Sequence, residues 1–263
     1  VSICPKCHSR AERDTDTLDN LVCSSWYFLR YTSPGVDDLP FDLDKSDYWL
    51  PADRYAAPAD RATGHLLYAR FFWKAIRDLG VVQGDEPFRH LTTPGPIATR
   101  SGTALDMAEW VREFGADAVR AYLLSLGPWE EGGIVGRDGV ETTFGWLQKV
   151  HSLALSGGLP EVGDSAAEAE LAHAARETTA AISAALEGLC PEQAVSTLRR
   201  FTERLGQALA SGRVGRGYWR SAIRALLLML APIAPHLAED LWEKTGHSFS
   251  IHSQPWPSPD IAS

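Results

Sequence analysis

The sequence lacks a long apolar run and has few cysteines. Its longest uninterrupted apolar stretch, Ala225 to Leu230, is far shorter than the about 18 residues that a membrane-spanning helix needs. The start of the chain has no basic segment followed by an apolar core, so it predicts no secretory signal. Four cysteines are too few for a disulfide scaffold. We therefore expect a cytoplasmic protein with no membrane association.

The chain is also short of positive charge. It carries 25 Lys and Arg against 34 Asp and Glu, a formal net charge of -9, whereas simple nucleic-acid-binding domains are basic because phosphate contacts dominate their affinity. The segment 199–224 reverses this balance, because Glu203 is its only acid. Two interpretations fit this segment, a phosphate-binding surface and an ordinary solvated helix face. Its seven arginines are Arg199, Arg200, Arg204, Arg213, Arg216, Arg220 and Arg224.

Strand signals are scarce as well. Before residue 127 the pattern predicts about two strands, one of them at 88–93, and an amphipathic helix over 61–79. A sheet that small is a poor independent core, so we expect an incomplete first domain covered by a second copy or another chain. The opening residue Val1 fits a processed chain, an alternative start codon or a fragment.

The second part of the sequence is helical. Helices are expected over 140–156, 165–188, 192–211 and 217–245, with a Gly- and Pro-containing linker at 157–164. We place the domain boundary between 127 and 140. The first domain is then 1–135 and the helical domain 136–263.

Cys4 and Cys7 form a C-x-x-C pair at the start of the chain, with His8 beside them and Cys23 farther on. The spacing is that of half a zinc knuckle. Structural zinc takes four ligands, usually two such pairs. A zinc site with Cys4 and Cys7 is therefore one interpretation, and a relic hairpin with free thiols at 1–9 is the other.

Several segments resemble leucyl-tRNA synthetase, a class I enzyme, and they occur in the family's order over nearly the whole chain. They are TDTLD at 15–19, SSWYFLRYT at 24–32, YWLPAD at 48–53, HLLYARFF at 65–72, GADAVR at 115–120, and LAPIAPHLAE at 230–239 followed by PWP at 255–257. The resemblance implies an α/β remnant of a Rossmann catalytic domain, followed by an all-α bundle of the anticodon-binding type.

The same comparison shows departures in the segments that serve ATP. The family's G-G-x-E-H reads APADR at 57–61, and the region of its KMSKS loop reads GPIATRSG at 95–102 without a lysine. Those lysines stabilise phosphate charge during adenylate formation. The HIGH motif, the editing domain and the C-terminal domain have no counterpart in these residues. We therefore expect a truncated, degenerate paralogue that does not use ATP by itself.

Residues that face leucine are better retained. By resemblance, the leucyl pocket falls on Leu21, Ser24, Tyr27, Tyr55 and His65, and Leu21 replaces an aromatic residue. Arg61 stands where the family has histidine. Ordinary core packing is the alternative for Tyr27, Tyr55 and His65. The resemblance also assigns tRNA binding to part of the arginine segment, namely Arg199, Arg200, Arg204, Arg220 and Arg224.

These features favour a leucyl-tRNA-dependent transferase. Such an enzyme passes leucine from leucyl-tRNA to the amine of a small molecule in a natural-product pathway. No catalytic residue is assigned, although His65 and His90 are candidate bases. Two alternatives stay open, one subunit of a split leucine–tRNA ligase and a non-catalytic tRNA-binding paralogue.

Overall fold

The computed structural model describes residues 2–16, 21–99 and 107–257, without the side chains of Asp60 and Arg61. The chain forms two compact units, Val1–Pro94 and Gly95–Ser263. Within the described ranges no helix is both long enough and apolar enough to cross a membrane.

The first unit contains short strands and three helices. In chain order these are β1 (Ser2–Ile3), β2 (Arg10–Ala11), a 3-10 turn (Cys23–Ser25), α1 (Tyr27–Tyr31), α2 (Leu43–Trp49), β3 (Ala52–Ala56), α3 (Ala59–Asp78) and β4 (Phe88–Thr92). Strands β1 and β2 pair antiparallel, whereas β3 and β4 pair parallel, with Tyr55 opposite Leu91. The parallel pair, joined through α3, is a single βαβ unit.

A small apolar cluster holds this unit together. Phe28 and Leu29 of α1, Ala69 and Trp73 of α3, and Val82 are buried. The positions in α3 recur at helical spacing, as the amphipathic pattern predicted. Gly80, with φ of +76°, follows the end of the helix in a conformation that glycine adopts without strain.

The second unit begins with a short parallel pair and continues as helices. Its elements are β5 (Ile97–Thr99), α4 (Met107–Phe114), α5 (Ala116–Leu124), β6 (Gly133–Val135), α6 (Arg137–Ala154), α7 (Ser165–Glu187), α8 (Pro191–Ser211), α9 (Arg216–Leu230) and α10 (Pro235–Lys244). Strand β5 pairs with β6. The core lies among the long helices, where Ile182, Leu198, Phe201, Leu226 and Met229 are fully buried.

The two compact units divide after Pro94, whereas the predicted domain boundary lies between 127 and 140 and stays a prediction. Helices α4 and α5 pack on the bundle because Trp110, Val119 and Tyr122 share one core with Trp146 of α6. The region 127–140, where the domain boundary was predicted, holds β6, whose pairing with β5 joins it to this unit.

One long helix expected from the sequence is two helices. The segment 217–245 divides into α9 and α10 around Pro232 and Pro235. Proline has no N–H and cannot continue a helix interior, although it fits the first turn of the next helix. Pro235 occupies that position in α10.

Candidate functional site

Four of the expected pocket residues lie together in the first unit. The hydroxyl of Tyr55, on β3, lies 2.6 Å from Nδ1 of His65, which is in the second turn of α3. The other ring nitrogen, Nε2, lies 2.7 Å from the carbonyl oxygen of Ser24. The ring of Tyr27 is 5.5 Å from the ring of His65. His65 therefore links a strand, a helix and the turn before α1.

The hydrogen-bond partners of His65 determine which ring nitrogen carries the proton when the ring is neutral. A carbonyl oxygen only accepts, so Nε2 carries the proton and donates it to Ser24. Nδ1 then accepts a hydrogen bond from the Tyr55 hydroxyl. Both nitrogens are engaged, so the ring has no lone pair left to act as a base while this network is intact. Its geometry is that of a residue that positions the pocket.

Aromatic rings surround His65. Tyr55 stacks on Phe88 with ring centroids 4.6 Å apart, and Tyr27 packs edge-on against Phe28 at 5.9 Å. Burial raises the pKa of Tyr27 and of Tyr55. Both phenols therefore stay neutral at physiological pH. An uncharged, half-buried aromatic wall suits an aliphatic side chain.

The other expected pocket positions are less well defined. Leu21 is half-buried just before the 3-10 turn, and its carbonyl oxygen accepts a hydrogen bond from Ser25 at 2.8 Å. The Ser24 side chain is half-buried next to it. The side chain of Arg61 lies outside the described residues.

The hydrogen bond that His90 forms lies outside the network of His65. It is exposed on β4, and Nδ1 is 3.1 Å from the carbonyl oxygen of Asp53 on the neighbouring strand. That contact uses one ring nitrogen. The contacts of His65 and His90 assign no catalytic role to either residue.

Cys4 and Cys7 lie at the turn of the β1–β2 hairpin. The amide of Cys4 donates to Ser9 at 2.9 Å, and the thiol of Cys7 lies 3.1 Å from the Ser9 hydroxyl. Hydrogen bonding to Ser9 lowers the pKa of the Cys7 thiol. The turn offers a metal two sulfur ligands, and across the described ranges no three His, Cys, Asp or Glu side chains cluster as a metal site. Zinc at Cys4 and Cys7 stays a prediction.

The two segments that depart from the family's ATP-binding motifs begin at residues 57 and 95, just before α3 and β5. Pro58 precedes α3, and the amide of Ala57 donates to Thr92 at 3.2 Å. Gly95 and Gly132 pack backbone to backbone, and a Cβ at either would overlap the other strand. Residues 100–106, which include Arg100, lie outside the described ranges.

The three arginines on α8 each have a partner inside the second unit. Arg199 donates to Thr143 at 2.7 Å, its guanidinium lies 5.2 Å from the centre of the Trp146 ring, and burial lowers its pKa. Arg204 forms an ion pair with Glu177 at 3.0 Å. Arg200 bonds Thr197 from the exposed side of the helix. Arg199 is thus half-buried against the bundle, and tRNA binding by the α8 arginines stays a prediction.

The remaining two arginines of the set, Arg220 and Arg224, lie one turn apart on α9. Arg220 is exposed, and Arg224 lies over the ring of Trp242, 5.7 Å from its centre. Neither forms an ion pair within the described part of the chain. The structure therefore divides the five arginines between two helices with different surroundings.

Known proteins resemble this chain in sequence and in fold. Residues 168–263 match the model of the anticodon-binding domain of tRNA ligase. Leucine–tRNA ligases of Dehalococcoides mccartyi and Rubrobacter xylanophilus are each 40% identical over 98% of the chain. The chain is thus similar in sequence to leucine–tRNA ligases over nearly its whole length. It spans about a third of their length, 33% and 32% respectively.

The structural comparison agrees with the leucine–tRNA ligase relationship. The agnB2 LeuRS of Agrobacterium radiobacter K84, solved as a ternary complex with tRNA and LeuAMS, matches 98% of this chain and 35% of its own with a TM-score of 0.84 and 30% identity. A methionyl-tRNA synthetase of Mycobacterium tuberculosis, 16% identical over 76% of the chain and covered over 44% of its own, shares the fold with a TM-score of 0.56. The expected fold, a catalytic remnant followed by an anticodon-binding bundle, is confirmed.

Proposed function

We propose that this chain takes leucyl-tRNA as its substrate and transfers the leucyl group to the amine of a small molecule in a biosynthetic pathway. The observation that carries the proposal is an asymmetry within the first unit. Ser24, Tyr55 and His65 form a hydrogen-bonded network beside the rings of Tyr27 and Phe88. The adjoining segment APADR at 57–61 lacks the paired glycines with which the resembled family approaches the nucleotide.

The chemistry of this transfer needs no ATP. In leucyl-tRNA the leucine carboxyl is an ester of a ribose hydroxyl, so it is already activated. The acceptor nitrogen attacks the ester carbonyl, a C–N bond forms, and the C–O bond to the ribose breaks. The released hydroxyl takes up the proton that the amine loses. Holding the two reactants in attack geometry is then the main requirement, and it can supply a large part of the rate enhancement.

The pocket residues would act by positioning. Tyr27 and Tyr55 provide neutral walls for the leucine side chain, and His65 holds Tyr55 against the Ser24 backbone. A hydrophobic pocket distinguishes a missing methylene by only about 1–3 kcal/mol. Leucyl-tRNA should therefore be preferred over valyl-tRNA by roughly 10- to 200-fold.

A second candidate is ATP-dependent ligation of leucine to tRNA, with this chain providing part of the enzyme. The identity of 40% to leucine–tRNA ligases over 98% of the chain favours it. In that reaction the same pocket would hold leucine before its activation. The two candidates differ in what they consume, leucyl-tRNA or leucine with ATP.

The deciding experiment follows labelled leucine. Purified chain is incubated with leucyl-tRNA and a pool of small amines, and appearance of a labelled amide is compared with leucine-dependent ATP–pyrophosphate exchange. Transfer without exchange is expected. Ser24→Phe should abolish transfer and leave tRNA binding intact, because the bundle is a separate unit, whereas Ser196→Phe on the exposed side of α8 should change neither. Exchange would establish the ligase instead, and leucine that stays on tRNA in every case would leave a tRNA-binding module.

A further inference from the structure

A chain of ring contacts runs from the network of His65 to the surface of the first unit. Tyr55 stacks on His65 with ring centroids 5.3 Å apart, and the Tyr27 ring lies 5.5 Å from the same histidine. The Tyr31 ring lies 5.2 Å from that of Tyr27, with an angle of 73° between the two planes. Residues four apart share one face of a helix. Tyr31 therefore extends the aromatic surface beside His65 outward along α1.

The outermost of these rings takes no part in the core of the unit. Tyr31 is 74% exposed, and it lies outside the buried apolar cluster formed around Phe28 and Trp73. Within the described ranges, its ring contacts one other aromatic ring, that of Tyr27. Most of the Tyr31 ring is therefore open to a ligand.

The electrostatic surroundings of these rings are neutral. The pKa of Tyr27 is raised first by burial and then by the Tyr31 phenol, and that of Tyr55 by burial and by Tyr27. Among the described residues, no carboxylate contributes to either change. Arg30, the cation next to Tyr31 in sequence, donates to the carbonyl oxygens of residues 39 and 40 at 3.1 and 3.0 Å. A cationic ligand at this surface would therefore be held by the rings themselves.

Aromatic rings bind cations through the negative face of their π system. The attraction acts when the cation lies within about 6 Å of the ring centroid, and it strengthens where water is displaced. Ammonium groups are recognised in this way by several rings that enclose them. The rings of Tyr27 and Tyr31, set at 73° to each other, provide two sides of such an enclosure.

Leucine carries an ammonium group close to its side chain. Only the α and β carbons separate the nitrogen from the branch carbon of the side chain. With that branch against Tyr27 and Tyr55, as the proposed function places it, the ammonium lies within reach of the neighbouring Tyr31 ring. The free face of Tyr31 is thus matched to a group that every leucyl ester contains.

We infer that the rings of Tyr27 and Tyr31 hold the α-ammonium group of the leucyl substrate by cation–π contact, and that Tyr31 selects an α-amino ester over a plain carboxylic ester. This contact rests on the proposed function, because it requires the leucyl side chain to pack beside His65. Cation–π contact favours the protonated amine, which has no lone pair. The leucyl nitrogen therefore does not attack a second ester, and only the external amine acts as acceptor.

The test compares two esters that differ only in the amino group. Leucine methyl ester and methyl 4-methylpentanoate are titrated into the 263-residue chain at about pH 6.5, below the α-amino pKa of about 7.7, and binding is followed by ligand-observed NMR. The wild-type chain should bind the amino ester roughly 2- to 30-fold more tightly, the range of cation–π contacts. Tyr31→Leu should reduce this ratio by about half or more and leave the affinity for the plain ester unchanged. Tyr31→Phe keeps the ring face and should retain the ratio.

A matched control separates Tyr31 from exposed tyrosines in general. Tyr48→Leu removes a tyrosine of the same unit that is 79% exposed, on α2, and should leave the ratio unchanged. Circular dichroism verifies that each variant is folded. A ratio that is the same in wild type and in Tyr31→Leu would place the ammonium elsewhere and overturn the inference. A ratio lost equally in Tyr31→Phe would assign the contact to the phenol oxygen and overturn it as well.

Leucyl transfer from leucyl-tRNA is measured separately on the same proteins. Selection of the amino ester through Tyr31, with no transfer by wild type, would leave this inference standing and remove the transferase. Transfer by wild type, with an ester ratio that Tyr31→Leu does not change, would remove only the role of Tyr31. Failure of both esters to bind would also overturn the inference, and the transfer assay would then decide the proposed function by itself.

Discussion

His65 illustrates what residue type alone does not reveal. Its resemblance to a pocket residue placed it near leucine, and its chemistry suggested a base. The structure engages both of its nitrogens, one with the Tyr55 hydroxyl and one with the Ser24 carbonyl oxygen. The second contact joins positions 41 residues apart through a backbone atom, and no side-chain pattern in the sequence encodes it.

Glu86 offers a residue-scale test of the first unit. Its carboxylate accepts two hydrogen bonds from Arg70, both 2.6 Å, and lies 3.3 Å from Lys74. These partners lower the pKa of Glu86 to about 2. Because the folded pKa lies below the unfolded value of about 4.3, the stabilisation is complete above that pH and is lost as pH falls towards 2.

We expect Glu86→Gln to lower the free energy of unfolding by about 1 kcal/mol at pH 7. The figure is small because the Glu86 side chain is 40% exposed and solvent screens the pair. The difference between wild type and variant should shrink between pH 4 and pH 2, as measured by urea denaturation at each pH. Glu177→Gln, in an exposed pair of the second unit, serves as control. A difference that does not change with pH would show that the pair is not responsible.

At the scale of elements, α6 contains a matched pair of glycines. A Cβ on Gly139 would overlap the ring of Tyr122, which is 9% exposed and whose hydroxyl accepts a hydrogen bond from the Gly136 amide. Gly145, two turns later in the same helix, faces open space. The same substitution should therefore have opposite effects at the two positions.

We expect Gly145→Ala to stabilise the second unit by about 0.5–1 kcal/mol, since alanine restricts the unfolded chain and favours the helix. Gly139→Ala should destabilise it, because overpacking a buried ring costs about 1–3 kcal/mol, more than the gain in helix propensity. Thermal unfolding followed by circular dichroism gives both signs. Equal shifts of Tm in one direction would mean that Tyr122 moves aside freely.

The sequence predicted where the long helices lie, but it did not predict which short strands pair. The apolar periodicity predicted α3, α7 and α8 within a few residues, because burial at 3.6-residue spacing is a local signal. Strands β5 and β6 are three residues each, and their pairing depends on the close approach of Gly95 and Gly132. That approach is non-local, so no local pattern in the sequence indicated the pairing of these two strands.

The net charge of the whole molecule does not describe the charge of a local surface. The net charge of -9 argues against RNA, yet Arg220 and Arg224 on α9 form no ion pair within the described residues. The screening length at physiological salt is about 8 Å. An anion beside these two arginines therefore responds mainly to them, and distant carboxylates affect the encounter more than the bound state.

The last prediction concerns assembly. In the described part of the first unit, the parallel sheet consists of β3 and β4 alone, whereas parallel sheets are usually covered on both faces. Helix α3 exposes Leu67 and Phe71, one turn apart, at 69% and 74%. An open edge beside exposed apolar side chains favours association. We therefore expect the 263-residue chain to self-associate or to require a partner polypeptide at this unit.

Sedimentation velocity over a range of concentrations measures the association. Leu67→Lys/Phe71→Lys should shift the wild-type chain towards monomer, because a lysine at an apolar contact is costly to desolvate. Val162→Lys replaces an equally exposed apolar residue, 81% exposed, in the second unit and should leave the distribution unchanged. A wild-type monomer at every concentration, with the β3 and β4 amides protected from hydrogen exchange, would show that the two-stranded sheet is sufficient by itself. In that case the exposed face of α3 needs no partner.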